Sequence, residues 1–244
     1  MLKAIFFDFG NTLIESDSSL DQFNRDYTWP KLQELGAQGT YKDFLSAKQQ
    51  VLRKDVSNKS VQAIRPYSEV IPFFHLIVKQ MGLDHVSVEK SREIEAAGWE
   101  QYKTYLTLFP GTVNALHWIH THGLQLAVIS NWFQQYILDY LDHLRILPLF
   151  DLVMTSEKAG ANKFDLTPFQ LTLDALYVNP KHSLHVGDNI IQDGACRKLG
   201  IRYVFSRWHQ TKGPKVLLPV TLANQFDYQV ISYPALVDLL ESLL

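Results

Sequence analysis

The chain has 244 residues, 46% of them hydrophobic and 20% charged, and its 23 basic and 25 acidic side chains give a formal net charge of −2. That length suits one large α/β domain, or a core domain carrying a smaller insertion. The near balance of charge gives no electrostatic reason to expect nucleic acid or an acidic membrane as partner.

The lone Cys196 excludes an internal disulfide and suits a reducing compartment. An apolar strand begins almost at once with only Lys3 ahead of it, so no secretory leader is expected and the expected location is cytoplasmic. The most apolar stretch, Val70 to Val78, is too short to span a bilayer and contains Pro72 and His75.

In chain order, Ala4-Ile5-Phe6-Phe7 reads as the buried strand of a parallel sheet, within residues 3–9. It stops at Asp8, after which Gly10 and Asn11 let the backbone turn. Taken alone, Asp8 reads better as a turn former than as a functional acid. From Glu15 to Leu108 no strong strand is present. Helical stretches are expected over about 18–36, 40–56, 68–81 and 86–106, separated by Gly36, Gly39, the Ser57-Asn58-Lys59-Ser60 cluster, Pro66 and Gly82. Four helices in one insertion make a small bundle.

Pro110-Gly111 reopens an alternating pattern. It predicts a helix over 112–122, a strand over 124–129 ending in Ser130-Asn131, and a helix over 133–145 broken by Pro148. A strand over 151–155, a helix from Pro168 to Tyr177 and a strand over 183–186 ending in Gly187-Asp188 follow. A helix over 190–199, a strand over 201–205, a short strand near 228–231 and a helix over 234–243 complete the chain. This spacing predicts an α/β fold, a Rossmann-like parallel sheet with helices on both faces and an inserted helical cap. The expected division is a core of residues 1–14 and 109–244 and a cap of residues 15–108.

The polar residues then fall at strand ends: Asp8, Ser130-Asn131, Lys163 beyond the 151–155 strand, and Asp188 with Asp193. In a doubly wound sheet these ends converge on one crevice. Three acids sharing one crevice need a counter-charge, which Lys163 and a metal ion would supply. Oxygen-only ligands favour Mg²⁺ over zinc.

These residues resemble the motifs of the haloacid dehalogenase-like hydrolase superfamily, in order and over essentially the whole chain. Phe6-Phe7-Asp8-Phe9-Gly10-Asn11-Thr12-Leu13 is similar to the first motif and Val128-Ile129-Ser130-Asn131 to the second. Gly160-Ala161-Asn162-Lys163 looks like the third, with Phe164 where the family usually has proline. Gly187-Asp188-Asn189-Ile190-Ile191-Gln192-Asp193 resembles the fourth. The insertion falls where one subclass places a helical cap.

The resemblance implies a Mg²⁺-dependent phosphatase acting on a small phosphorylated metabolite, with no nucleic acid or membrane partner. Asp8 would be the nucleophile that forms an aspartyl-phosphate, and Lys163 the second catalytic residue. Ser130, Asn131 and Thr12 would bind substrate. Asp8, Gly10 through its carbonyl, Asp188 and Asp193 would form the metal site, Asp193 orienting Lys163 or a metal-bound water more than binding metal directly.

One position departs from the pattern. The family's phosphatases usually carry a second Asp two residues after the nucleophile, as general acid and base, and here that residue is Gly10. Glu15 and Asp17 are stand-in candidates, although both read more simply as solvated loop acids. Two alternatives stay open: a phosphate-binding or interaction protein that has lost turnover, and a metal-independent 2-haloacid dehalogenase, against which Asp188 argues.

The remaining signals have plainer readings. His117, His120 and His122 read as surface histidines rather than a zinc site, and Cys196 as a packing residue. The Asp8-Phe9-Gly10 tripeptide has no room upstream for a kinase lobe. Arg197, Lys198, Arg202, Arg207 and Lys212 read as a solvated face. Trp132 and Phe133 are core or a pocket wall, and Arg65 and Tyr67 could face a substrate.

Overall fold

The structure, a computed structural model, describes residues 1–58, 63–208 and 224–244. Lys59, Ser60 and Lys212 lie outside the described residues. Six parallel strands form one sheet in the order β3-β2-β1-β4-β5-β6. They are β1 (Ala4–Phe7), β2 (Gln125–Ser130), β3 (Leu152–Thr155), β4 (Ser183–Gly187), β5 (Arg202–Ser206) and β6 (Tyr228–Val230). This is the doubly wound order in which the chain reverses direction beside β1, and ligands bind outside the carboxyl ends of the strands there.

β1 is apolar on both faces because both are covered. Ile5 and Phe7, with Val128, Leu184 and Val186, join a core with α6 (Thr112–Thr121), α7 (Gln134–His143) and α10 (Tyr233–Glu241). Ala4 and Phe6, with Ala127 and Ile129, face α9 (Thr167–Leu176) instead. The alternation has the period of two expected of a pleated strand.

The segment between β1 and β2 is helical. α1 (Ser16–Phe23) runs through a π-helical turn (Asn24–Thr28) into α2 (Trp29–Glu34), so the expected helix over 18–36 is one rod of three pieces. α3 (Tyr41–Asn58), α4 (Phe73–Gln80, entered from Pro72) and α5 (Val88–Tyr102) follow. Ser87 caps α5 by accepting the Lys90 N–H at 3.1 Å. The segment has its own apolar cluster, including Leu32, Phe44, Phe74, Ile77 and Val78. It leaves and returns at one point: Glu15 N donates to Thr107 O at 2.9 Å and Phe109 N to Leu13 O at 3.1 Å.

The segment also packs on the core through aromatic rings. Trp99 meets Trp132 edge-on at 5.1 Å, and Tyr67 meets Phe133 at 5.1 Å. Tyr140 Oη donates to the Trp99 carbonyl at 3.2 Å.

Two expectations need correcting. The stretch 190–199 is not an α-helix: turns lead into a 3₁₀ segment, Gly194–Leu199. Asn189 takes the place of a helix start, its backbone N–H and carbonyl both tied to Asp193. A short helix, α8 (Ser156–Ala159), follows β3 directly where none was expected. Among the described residues no helix is long and apolar enough to cross a membrane.

Candidate active site

The carboxyl ends of β1, β2 and β4 do converge. A cavity of about 270 Å³ opens there, lined by Asp8, Ser130, Asn131, Lys163, Asp188 and Asp193 among others. Carboxylate oxygens of Asp8, Asp188 and Asp193 all lie within 4.8 Å of one another. The register explains this: Phe7 pairs with both Val128 and Val186, so the residues just beyond them reach the same level of the sheet.

Lys163 is the hub. Its Nζ donates to Asp8 Oδ1 and to Asp193 Oδ1, each at 2.5 Å. The 3₁₀ turn Lys163–Asp165 positions it, and Asn131 Oδ1 accepts its backbone N–H at 2.9 Å. Asp193 is fully buried and its oxygens are engaged: Oδ1 also faces His185 Nε2 at 3.0 Å, and Oδ2 accepts the Asn189 N–H at 2.9 Å. These bonds suit Asp193 to hold Lys163 in place. Asp188 makes no hydrogen bond among the described residues, and burial and neighbouring charges alone act on it there.

The charges follow from this arrangement. Burial pushes the Asp8 carboxyl up to about 6, against the opposing pull of Lys163. Burial, then the charges of Asp8 and Asp193, push Asp188 up to about 8. Burial acts on Asp193 as well, but Lys163 and the His185 hydrogen bond outweigh it and hold this carboxyl below the usual range. For Lys163, burial is outweighed by Asp193 and Asp8, so the ammonium is retained.

Three carboxylates facing one ammonium leave an excess of negative charge, and Asp188 contributes an oxygen with no hydrogen bond among the described residues. An all-oxygen donor set of this kind fits a hard divalent cation such as Mg²⁺. A prediction follows for the metal-free protein. A carboxyl whose pKa rises on folding contributes stability below its unfolded value and loses it as pH climbs through its folded value. With Asp188 raised from 3.8 to about 8, that window spans pH 4 to 8. In chelator, Asp188→Asn is expected to melt above the parent by at least about 4 °C at pH 8, the gap narrowing toward pH 5. A gap that is flat with pH, or of the opposite sign, would contradict the assignment.

Gly187 is needed for a spatial reason invisible in the sequence. A Cβ there would lie 2.3 Å from Asp193 Cγ, so the buried carboxyl packs directly over it. Gly187→Ala is expected to force Asp193 away from Lys163 and His185, costing about 3 kcal/mol or more in urea denaturation. An unchanged midpoint would mean that the contact relaxes freely.

Not every candidate belongs to the site. Thr12 is fully buried and does not line the cavity; its hydroxyl lies 3.4 Å from Ser206 Oγ. Its carbonyl accepts from Trp208 Nε1 and Tyr233 Oη, so the residue is turned into the core and its expected substrate contact is withdrawn. Glu15 and Asp17 do not line the cavity either. Asp17 exchanges hydrogen bonds with the Asn11 side chain. The residue between them, Ser16, does line the cavity and accepts the Asn11 N–H at 2.9 Å.

Trp132 is a cavity wall, while Phe133 is buried beside Ala63 and Val70. Arg65 is exposed, and Tyr67 donates to Glu95 rather than facing the cavity. His117, His120 and His122 are exposed, and Cys196 is packed in the apolar core. Sequence reasoning missed the close packing of Asp193 over Gly187, the contact of His185 with Asp193, and the aromatic walls Trp99, Tyr102 and Tyr140.

A family model for haloacid dehalogenase-like hydrolases matches residues 5–206. The chain belongs to that family. Within it, the haloacid dehalogenase-like hydrolase domain-containing protein 3 of Homo sapiens is 35% identical over 133 residues, which is 54% of this chain and 50% of that protein. The chain thus spans about half the length of that relative. The glyceraldehyde 3-phosphate phosphatase of Pyrococcus furiosus is 24% identical over 249 residues, 98% of this chain and 93% of that one. Among solved structures, a phosphatase of the same superfamily from Thermococcus onnurineus superposes with a TM-score of 0.68 at 21% identity, covering 98% of both chains. That structural likeness concerns the fold of this haloacid dehalogenase-like hydrolase alone.

Proposed function

We propose that this hydrolase is a Mg²⁺-dependent phosphatase acting on a phosphate monoester through Asp8. The observation that carries the reading is Asp8 clamped by Lys163, with an Asp188 carboxylate beside it that makes no hydrogen bond among the described residues. Asp8, Asp188 and the Gly10 carbonyl would hold the metal, which would neutralise charge on the nucleophile and the phosphate. Asp193 has its oxygens engaged and positions Lys163.

Asp8 keeps Oδ2 for attack on phosphorus while Lys163 binds Oδ1; the bond from phosphorus to the ester oxygen breaks, the alcohol leaves with a proton taken from water, and a second water cleaves the aspartyl-phosphate to release phosphate and return the Asp8 carboxylate. Ser130 and the Asn131 N–H receive phosphate oxygens, and Lys163 holds a fixed positive charge beside them. Residues 1–14 and 109–244 act as the catalytic core. Residues 15–108 act as a cap whose aromatic face, Trp99 and Tyr102, roofs the cavity and excludes water.

Gly10 supplies no proton, which supports a second reading in which the protein binds phosphate with little turnover. A panel of phosphate esters with and without Mg²⁺ separates the two. Phosphate release that requires Mg²⁺ supports the enzyme. Binding of phosphate without release from any ester supports the second reading. Halide release from 2-chloropropionate that persists in chelator would instead point to a dehalogenase.

A further inference from the structure

A second cavity, of about 390 Å³, lies within the helical segment. It is a compartment of its own: Trp99 and Trp132 stand between it and the Asp8 cavity, closed edge-on with ring centroids 5.1 Å apart. It reaches the surface at Leu52 of α3, which lines it and is 45% exposed. Phe23, Phe73, Phe74 and Ile77 give it apolar walls. A void of this size in a small helical core is destabilising unless a ligand fills it.

The polar side chains of the wall divide into two groups. Tyr27 Oη donates to the Ile94 carbonyl at 2.7 Å, and Glu95 accepts from Tyr67 Oη at 2.8 Å and from the Phe74 N–H at 3.2 Å. Asn24, Thr28 and Lys48 make no side-chain hydrogen bond or ion pair among the described residues. Asn24 and Thr28 are each only 7% exposed, and a buried amide or hydroxyl left unpaired is costly. Neither belongs to the unpartnered polar atoms sealed off by protein, which are His185 Nδ1 and Arg202 Nε. Both therefore reach open space, which for residues this buried is the cavity.

Lys48 stands one turn before Leu52 on α3, so its ammonium is at the mouth. It is close enough to α1 to feel Asp21 and Asp17, and Asn24 follows Asp21 by one turn. Both acids are engaged elsewhere: Arg25 lies 3.1 Å from Asp21, and Asp17 exchanges hydrogen bonds with Asn11. The three unpaired groups can all donate and one of them is cationic, while the acid of the wall, Glu95, is engaged. The unmet demand is for an anionic acceptor. An ammonium head would meet Lys48 as a like charge, a polyol would strand hydroxyls against the phenylalanines, and a dianionic phosphate would need a second cation.

We propose that this cavity is a ligand site separate from the Asp8 site, and that its occupant is an aliphatic carboxylate of medium chain length. The carboxylate sits on Lys48, with Asn24 and Thr28 as further donors, and the chain lies among the phenylalanines.

The test titrates the full chain by calorimetry with hexanoate, octanoate and decanoate, and with 1-octanol and octylamine as head-group controls. One alkanoate is expected to bind per chain, with affinity rising about threefold or more per methylene. Octanoate is expected to bind about tenfold or more tighter than either control. Lys48→Met keeps the stem and removes the charge; it should bring octanoate to within about threefold of octanol and leave octanol unchanged. Ile77→Phe, filling the cavity from α4, should weaken octanoate and octanol alike by about tenfold. Leu52→Trp, from its half-exposed place at the mouth, reads the same loss if Ile77→Phe does not fold.

Absence of alkanoate binding at millimolar concentration overturns the proposal, as does binding of many alkanoates per chain. So does an octanol or octylamine affinity equal to that of octanoate, a carboxylate preference that survives Lys48→Met, or octanoate binding undiminished in a folded filling variant.

Discussion

Asp8→Asn is expected to lower Mg²⁺-dependent phosphate release by at least about 10⁴-fold, because it removes the atom that would attack phosphorus. The fold should tolerate the change. Burial already pushes the Asp8 carboxyl up to about 6, so a neutral side chain of the same shape suits the position. Lys163 keeps Asp193 as its ion-pair partner at 2.5 Å, so no buried ammonium is left alone. The variant should therefore melt within a few degrees of the parent and still bind phosphate. Loss of activity with the melting temperature retained separates a chemical role from a structural one. Residual turnover within tenfold of the parent would mean that water attacks the ester directly and that Asp8 serves only as a ligand.

What the sequence made legible was the part governed by local pattern. Apolar runs ending in Asp8, Ser130 and Asp188 mark strand ends, and a doubly wound sheet brings such ends together whatever the intervening chain does. Asp8, Lys163, Asp188 and Asp193 could therefore be grouped without coordinates.

Thr12 shows the limit of the same reasoning. It stands four residues from Asp8, but Asn11 adopts a positive φ of 52° and the chain after it turns inward, toward Ser206 and Trp208. Nearness in sequence says nothing about which side of a turn a side chain takes. His185 was hidden for another reason. It sits between Leu184 and Val186 like any core residue of a strand, and only the fold of residues 189–193 brings the Asp193 carboxyl to its ring. The space lined by Phe23, Phe74 and Trp99 inside the helical segment depends on how five helical pieces pack, which no local periodicity encodes.

Gly10 is where a further change should add function. A general acid or base is worth about 10²–10⁴-fold, and both halves of the proposed reaction need one: to protonate the leaving oxygen and to activate the water that cleaves the aspartyl-phosphate. An ester with a good leaving group, such as p-nitrophenyl phosphate, bypasses the first requirement and not the second. The parent protein is thus expected to release a burst of p-nitrophenolate close to one equivalent, followed by a slow steady state.

Gly10→Asp should abolish the burst and raise the steady-state rate by about 10²-fold. The site can accept the side chain at a modest cost. A Cβ at residue 10 would lie 2.9 Å from Ser16 Oγ, a small side chain that can rotate but would then release the Asn11 N–H it now accepts. Pairing the change with Ser16→Ala removes that contact, and the double variant should match or exceed the single one in rate. A steady-state rate that stays at the parent's level in both variants, with the burst unchanged and the fold intact, would show that the missing acid is not what limits turnover.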